Sequence, residues 1–176
     1  MLILSEEEHF PSPCVLLLGG FDGIHRGHAS LLERAKETGL PVGMMSILGG
    51  KAGGELFTRP ERRYIFMQAG VVFVTEYAFS EKFRTTPPEA FLQSLFARFD
   101  VKAVFCGEDF RFGKDAAGSP DLLRTLAPCP VTVLPLAEAG GETIATSRIK
   151  RMIAETDVAG ADALLLHPYF VGGTVE

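Results

Sequence analysis

The sequence predicts an α/β domain with a central parallel sheet of about five strands flanked by helices. Near-continuous apolar runs of strand length recur along the chain, and strands that are apolar on both faces are typical of a buried parallel sheet. Amphipathic runs with helical spacing separate them, as the crossover connections of parallel strands require. A length of 176 residues fits one domain with a sizeable core, so we expect residues 1–176 to form a single domain.

The elements follow in chain order from these patterns. Five strands are predicted from the apolar runs, at residues 15–19, 42–48, 71–75, 103–107 and 131–136. Six helices are predicted from the amphipathic runs, at residues 28–38, 60–69, 88–99, 120–126, 147–155 and 158–166. Parallel α/β sheets bind ligands at the carboxyl ends of their strands. We therefore expect the segments that follow the first and fourth predicted strands to share one cleft.

Composition excludes several classes of function. The net charge of −5 argues against a broad nucleic-acid-binding surface but allows a local cationic pocket for a nucleotide. No apolar run is long enough to cross a bilayer, and the acidic start at residues 5–8 differs from the basic start of a signal peptide. We therefore expect a cytoplasmic protein without a membrane partner. The three cysteines have no metal-site spacing, and Cys14 and Cys106 are predicted to be small core residues.

The most informative segment is residues 20–28, with the sequence GFDGIHRGH. It lies between the first predicted strand and the first predicted helix, and it contains two of the chain's four histidines, His25 and His28. Backbone N–H groups at a helix start have no partner within the helix, and the helix dipole is positive there, so anions bind well. Glycine lets the backbone approach a ligand closely. The segment therefore predicts a phosphate-binding turn.

This string resembles the first motif of the nucleotidylyltransferase superfamily, and its longer form is similar to the bacterial FAD synthetase, or FMN adenylyltransferase, family. The resemblance implies a Rossmann-like fold and a role in riboflavin metabolism. It implies ATP and FMN as substrates, with transfer of AMP to FMN to give FAD and pyrophosphate. It also implies Mg²⁺ that is held by the substrate phosphates, with no direct protein ligand.

The same resemblance implies roles for the residues of the turn. His25 and His28 are the catalytic pair, and they donate hydrogen bonds to the α- and β-phosphate oxygens of ATP. The other residues shape the turn beside the nucleotide, and the aspartate among them braces it by hydrogen bonds. They are Gly20, Phe21, Asp22 and Gly23.

A second segment, residues 106–114 with the sequence CGEDFRFGK, follows the fourth predicted strand. From its residue types alone, the segment is predicted to be a polar loop anchored by two buried phenylalanines. It also closely resembles the second landmark of the FAD synthetase family. That resemblance implies that Asp109 lies beside the nucleotide and that the residues from Arg111 to Lys114 line the same cleft.

A third segment, residues 144–151 with the sequence IATSRIKR, starts a predicted helix that Thr146 or Ser147 can cap. One interpretation is a capped helix with a solvated basic face, and the other is a triphosphate site built from hydroxyls, free N–H groups and cations. The segment resembles the Ile-Ser-Ser-Thr-x-x-Arg motif of nucleotidylyltransferases. In that resemblance Lys150 takes the place of the catalytic arginine, and Arg148 matches an arginine common in FAD synthetases.

The sequence departs from the family pattern at two further places. Ala145 replaces the first serine of the third motif, and the Thr-Phe-x-Pro-His-Pro segment expected beside the flavin phosphate is absent from residues 46–54. The glycine-rich run in 49–54 fits either a surface connection, which we favour slightly, or a mobile flap that carries Lys51. Residues 168–176 resemble the opening strand of a riboflavin kinase barrel, and we expect no kinase activity from the chain.

Three functions are compatible with the sequence. The first is an FMN adenylyltransferase. The second is a nucleotidylyltransferase that uses another phosphorylated acceptor, because the catalytic motifs match better than the acceptor segment. The third is a nucleotide- or flavin-binding homologue that has lost catalysis, against which the presence of both His25 and His28 argues.

Overall fold

A parallel sheet forms the centre of the molecule in the computed structural model, which describes residues 1–49 and 54–173. Within those ranges the sheet has six strands in the order β1-β4-β3-β2-β5-β6, and every pair is parallel. The strands are β1 (Leu2–Leu4), β2 (Cys14–Leu18), β3 (Val42–Leu48), β4 (Phe73–Ala78), β5 (Val101–Gly107) and β6 (Val131–Leu134). The predicted fold class and all five predicted strands are confirmed.

Three short strands were not predicted. The edge strand β1 has three residues, so it carries no periodic pattern, and it forms by pairing Leu2 with Phe73 of β4. A two-stranded antiparallel hairpin, β7 (Glu138–Ala139) and β8 (Glu142–Thr143), follows the sheet. Strands this short depend on tertiary neighbours for their stability.

Helices cover both faces of the sheet. They are α1 (Arg26–Lys36), α2 (Arg59–Gln68), α3 (Glu81–Thr85), α4 (Pro88–Arg98), α5 (Pro120–Leu126), α6 (Thr146–Ala154) and α7 (Val158–Leu164). The six predicted helices are confirmed with ends displaced by at most two residues. The five-residue helix α3 was missed because it buries no side chain, and Ser80 starts it by accepting a hydrogen bond from the Phe83 N–H. No helix in the described ranges is long and apolar enough to cross a membrane.

The apolar runs form two cores, one on each face of the sheet. All five residues of β2 are buried, with Leu17 in one core and Leu16 and Leu18 in the other. Cys14 and Cys106 belong to the second core as predicted, and burial raises the pKa of their thiols to about 12 and about 11. Burial on both faces explains why these strands are apolar at every position.

The strand order determines where a ligand can bind. From β2 the chain adds β3 and then β4 on one side, and it later returns to place β5 on the other side of β2. The direction of winding therefore reverses between β2 and β5. In open α/β sheets, the crevice at the carboxyl ends of the strands on either side of such a reversal is the usual binding site.

Candidate active site

A cavity of about 390 Å³ lies at this reversal, where β2 and β5 end. It is within the size range of small-molecule sites. Four predicted site residues from the first turn line it, and they are Gly20, Phe21, His25 and His28. Three more come from the loop after β5 and from the start of α6, and they are Asp109, Arg111 and Thr146. The two segments expected to share a cleft do share this cavity.

The two histidines stand together at the start of α1. His25 precedes the helix in an extended conformation, and its carbonyl accepts hydrogen bonds from the backbone N–H groups of His28 and Ala29 at 2.9 and 3.1 Å. The imidazole rings stack with centroids 3.6 Å apart, and the Phe21 ring meets the His28 ring edge-on at 4.7 Å. His25 is only 7% exposed. Helix geometry and packing thus hold both rings against the cavity.

Two glycines allow this arrangement. Gly23 has a φ of +117°, which side-chain-bearing residues rarely adopt, and a Cβ atom there would lie 2.8 Å from the Phe57 ring. Gly27 lies between the histidines, and a Cβ atom there would lie 3.2 Å from the His25 ring. The spacing of the motif therefore leaves room for both the turn and the imidazoles.

The Asp22 carboxylate lies under the turn and is fully buried. It accepts hydrogen bonds from the Leu56 N–H at 2.8 Å and the Phe57 N–H at 3.5 Å. The Lys150 ammonium lies 3.1 Å from the same carboxylate. Asp22 therefore connects the histidine turn with two segments that are distant in sequence.

The loop after β5 is anchored from below by aromatic rings. Phe110 and Phe112 are buried, with stacked rings 5.4 Å apart, as predicted from the residue types of the loop. Asp109 and Arg111 line the cavity, and the Arg111 guanidinium donates to the Phe110 carbonyl at 2.8 Å. Lys114 instead begins a short 3-10 turn and is not among the described residues that line the cavity.

The start of α6 meets the cavity from the opposite side. The N-cap residue is Ala145, and neither Thr146 nor Ser147 caps the helix, so that prediction was wrong. The reason is that the helix begins at Thr146, one residue before the predicted start, which places both hydroxyls inside the first turn. Ala145 and Thr146 line the cavity, whereas Ser147 is exposed and does not. The backbone at this helix start is therefore close enough to meet an anion.

The side chains of Arg148 and Lys150 in α6 contact other parts of the protein. The Arg148 guanidinium donates to the carbonyls of Ala139 and Glu142 at 2.9 and 2.7 Å and lies 3.3 Å from the Glu142 carboxylate. Lys150 contacts Asp22 and donates to the Gly54 carbonyl at 2.5 Å. Among the described residues that form the cavity wall, neither cation appears.

Sequence reasoning missed the hairpin β7–β8 and the residues around it that line the cavity. Pro135 to Ala137 precede the hairpin, Thr143 ends it, and all contact the cavity. The hairpin turns at Gly140 and Gly141, whose φ values of +64° and +77° suit a tight turn of a two-stranded ribbon. The adjacent glycines were a sequence signal that could have located it.

The Pro-His-Pro element that the family resemblance implies is absent from the sequence at residues 46–54. Ile47, near the end of β3, lines the cavity. The Glu55 carboxylate accepts from the Gly49 N–H at 2.9 Å and from the Arg62 guanidinium at 2.8 Å. The choice between a surface connection and a flap, and the position of Lys51, concern residues 50–53, which lie outside the described ranges.

A second cavity of about 870 Å³ lies between α2 and the segment after α7. It is larger, but the histidine turn does not contribute to its described wall, so the smaller cavity is the candidate site. His167 lines this second cavity and packs against Phe57 and Phe170, with ring centroids 5.3 and 5.7 Å apart.

Asp109 is the carboxylate side chain on the described wall of the candidate cavity. In the described ranges no group of three or more His, Cys, Asp and Glu side chains could hold a metal ion. One carboxylate combined with substrate phosphates is a common set of ligands for Mg²⁺. The residues present therefore fit a Mg²⁺ ion that enters with a nucleotide.

Comparisons with known proteins place the chain in the nucleotidyltransferase class of enzymes. The profile of the FAD synthetase family matches residues 7–148, which include the histidine turn and the loop after β5. The chain belongs to the FAD synthetase family.

Individual relatives agree with this assignment. A bifunctional riboflavin kinase/FMN adenylyltransferase of Escherichia coli (strain K12) is 30% identical over 92% of this chain and 57% of its own length. An FAD synthetase of Listeria monocytogenes is 29% identical over 92% of this chain and 72% of its own length. The chain thus spans little more than half the length of the bifunctional relative.

A solved structure supports the fold. A protein from Streptococcus pneumoniae described as a macrolide-efflux protein superposes with a TM-score of 0.86 over 96% of this chain and 61% of its own length. At 24% identity the likeness concerns the fold alone. It matches the six-stranded parallel sheet with helices on both faces.

Proposed function

We propose that this chain is an FMN adenylyltransferase, which transfers AMP from ATP to FMN and releases pyrophosphate. The observation that carries the proposal is the meeting of two helix starts at one cavity, α1 with its stacked histidines and α6 with Thr146. Two helix N-termini facing one space favour a ligand that carries several phosphates. The match to the FAD synthetase family supports the identity of the donor and the acceptor.

The reaction is a displacement at the α-phosphorus of ATP. An oxygen of the FMN phosphate forms a bond to that phosphorus while the bond to the bridging α–β oxygen breaks, and pyrophosphate leaves with the electron pair. A phosphate monoester has a second pKa of about 6, so the nucleophile is already anionic at neutral pH. The protein therefore needs no strong base, and it acts by positioning and by stabilising charge.

The histidine pair acts where negative charge develops. His25 and His28 donate hydrogen bonds to the α- and β-phosphate oxygens as charge moves onto the leaving group. Their rings are held by stacking and by the helix start, so little reorganisation is needed during the reaction. Gly20 and Phe21 form the wall beside them and shape the space for the phosphates.

The other side of the cavity binds the rest of the nucleotide. The backbone N–H groups at the start of α6 and the Thr146 hydroxyl hold the leaving pyrophosphate. Asp109 accepts hydrogen bonds from the nucleoside, and Arg111 contributes positive charge near the phosphates. Mg²⁺ held by the substrate phosphates would supply charge neutralisation there, and Asp109 would hold a water of that ion.

The test measures pyrophosphate release from ATP with FMN, with riboflavin and with no acceptor. We expect release only with FMN, accompanied by FAD, because riboflavin has no phosphate nucleophile. Removal of Mg²⁺ by a chelator should stop the reaction. Release that does not depend on the acceptor, or no release at all, contradicts the proposal.

A second candidate is a nucleotidyltransferase that uses a different phosphorylated acceptor. The observation that favours it is the acceptor side of the cavity, where Ile47 replaces the expected Pro-His-Pro surroundings. A panel of phosphorylated acceptors, each offered with ATP and with CTP, separates the two candidates. Turnover with another acceptor at a higher kcat/KM than with FMN supports the second. Binding of ATP or FMN without turnover instead supports the catalytically impaired homologue.

A further inference from the structure

We infer that Lys150 is a positioning residue, which neutralises the buried Asp22 carboxylate and fixes α6 against the histidine turn, and that it does not bind the triphosphate. The expected effect of Lys150 on kcat rests on the proposed function. The inference departs from the role expected for the cation at this position of the third motif.

The contacts of Lys150 carry the argument. Its ammonium lies 3.1 Å from the Asp22 carboxylate and 2.5 Å from the Gly54 carbonyl, so two of its three donors have acceptors within the protein. Its side chain is 19% exposed, whereas Asp22 is fully buried. Among described residues Lys150 is absent from the cavity wall that Ala145 and Thr146 help to form. Lys150 therefore lies outside the set of described residues that form the cavity wall.

Burial of Asp22 holds the lysine in place. A carboxylate removed from water is strongly unfavourable unless a cation and hydrogen bonds compensate it. If Lys150 left Asp22 to reach a phosphate, it would lose this compensation at the moment when the site gains more negative charge. Pairing with Asp22 is thus more favourable for Lys150 than moving to a phosphate.

The pair also joins three parts of the site. Asp22 lies three residues before His25, and its carboxylate holds the Leu56 and Phe57 N–H groups. Lys150 projects from the second turn of α6 and holds the Gly54 carbonyl. The distance between the histidine rings and the start of α6 is therefore set through this ion pair. Displacements of about 1 Å in such spacing are enough to lower turnover strongly.

The test is a double-mutant cycle of Lys150→Met, Asp22→Asn and the combined variant, measured first by thermal unfolding. Lys150→Met should lower the midpoint by on the order of 10 °C, because it removes the cation that lies 3.1 Å from a buried charge. The combined variant should recover most of that loss, because Asp22→Asn removes the charge and keeps one side-chain oxygen to accept the shorter bond, from the Leu56 N–H at 2.8 Å. Lys102→Met, which removes an exposed partner of Asp100 at 2.7 Å, is the matched control and should change little.

The second measurement separates positioning from phosphate binding. For Lys150→Met we expect the affinity for ATP, measured by calorimetry without FMN, to stay within about threefold, whereas kcat falls by roughly tenfold or more. Lys150→Arg should retain most of the turnover because it keeps the charge. The inference is overturned if Lys150→Met weakens ATP binding by about tenfold or more, or if Asp22→Asn does not rescue its midpoint.

The two proposals fail in distinguishable ways. Unfolding and ATP binding need no acceptor, so they report on the ion pair even if the chain does not use FMN. If Lys150→Met does not fold, the combined variant still decides, because a folded combined variant supports the inference and an unfolded one contradicts it.

Discussion

The starts of α1 and α6 face the same cavity but use their side chains in opposite ways. At α1 the side chains of His25 and His28 line the cavity and are held by stacking and by the helix start. At α6 the cations, Arg148 and Lys150, turn away and bind other parts of the protein. Backbone N–H groups and Thr146 remain to meet the ligand there.

The difference shows that a basic helix start is not by itself a phosphate site. The positive end of a helix already favours an anion through its backbone, so nearby cations are available for structural work. Here Arg148 supports the hairpin that forms part of the cavity wall, and Lys150 supports the buried Asp22. In the proposed mechanism the histidines have no comparable substitute, because the backbone cannot replace two donors aimed at a developing charge.

The largest expected effect tests the α1 side of this comparison. His28→Ala should lower turnover on the order of a hundredfold, as loss of a preorganised charge-stabilising donor does, while the fold survives. The measurement is the initial rate of pyrophosphate release from ATP and FMN, with circular dichroism as the check on folding. His9→Ala, at an exposed histidine, is the matched control and should keep the full rate. An unchanged rate in His28→Ala would remove the histidine from the mechanism.

The next effect concerns the turn that carries the histidines. Gly23→Ala should reduce the free energy of unfolding by about 2–3 kcal/mol, because the new Cβ atom meets the Phe57 ring and φ must stay positive. Chemical denaturation measures it. Gly39→Ala provides the control, since its φ is +69° and a Cβ atom there meets nothing within 4 Å, so only the backbone strain of about 1 kcal/mol remains. Equal losses in the two variants would show that the contact with Phe57 is unimportant.

A smaller effect tests the α6 side. Arg148→Gln should raise the KM for ATP by about tenfold or less, because two hydrogen bonds that hold the hairpin are lost. Proteolytic cleavage near Gly140 should become faster in the variant, which a direct phosphate contact does not predict. Arg124→Gln, at an exposed pair with Asp121, should leave both measurements unchanged. A higher KM with unaltered cleavage would instead make Arg148 a ligand of the phosphates.

The smallest effect is a pH dependence at the same hairpin. A hydrogen bond from Arg151 holds the pKa of the Glu142 carboxyl below its usual 4.5. A lowered folded pKa contributes stability above pH 4.5, and that contribution is lost as the pH falls through the folded value. The unfolding midpoint of the wild type should exceed that of Glu142→Gln at pH 7, and the difference should shrink progressively as the pH falls below 4.5. Because the pair is half exposed, high salt should shrink the difference as well.

Much of the fold was predictable because it follows from local patterns. The apolar runs of β2 to β6 and the amphipathic runs of six helices are visible in single segments of the sequence. The strand β1 was not, because three residues have no period and their partner is β4, far along the chain. Helix α3 was missed for a related reason, since it buries no side chain and so leaves no apolar stripe.

The candidate site likewise has parts that follow from local sequence and parts that depend on distant segments. The histidine turn and the loop after β5 were predictable because each depends on neighbours within one segment: glycines that allow the turn, a helix start beside it, and phenylalanines that anchor the loop. The cap of α6 was predicted wrongly, because the choice among Ala145, Thr146 and Ser147 depends on where the preceding hairpin delivers the chain. The hairpin itself had only a pair of glycines as its signal.

Local sequence patterns were enough to identify the order of strands and helices and the turn proposed to bind phosphates, because periodicity and glycine conformation act over a few residues. The folded chain decided which charged groups face the cavity. A buried carboxylate such as Asp22 requires compensation by cations that the fold brings beside it, and Lys150, from a helix far along the chain, lies 3.1 Å away. Charge pairing acts through space, so it is settled only when the segments meet.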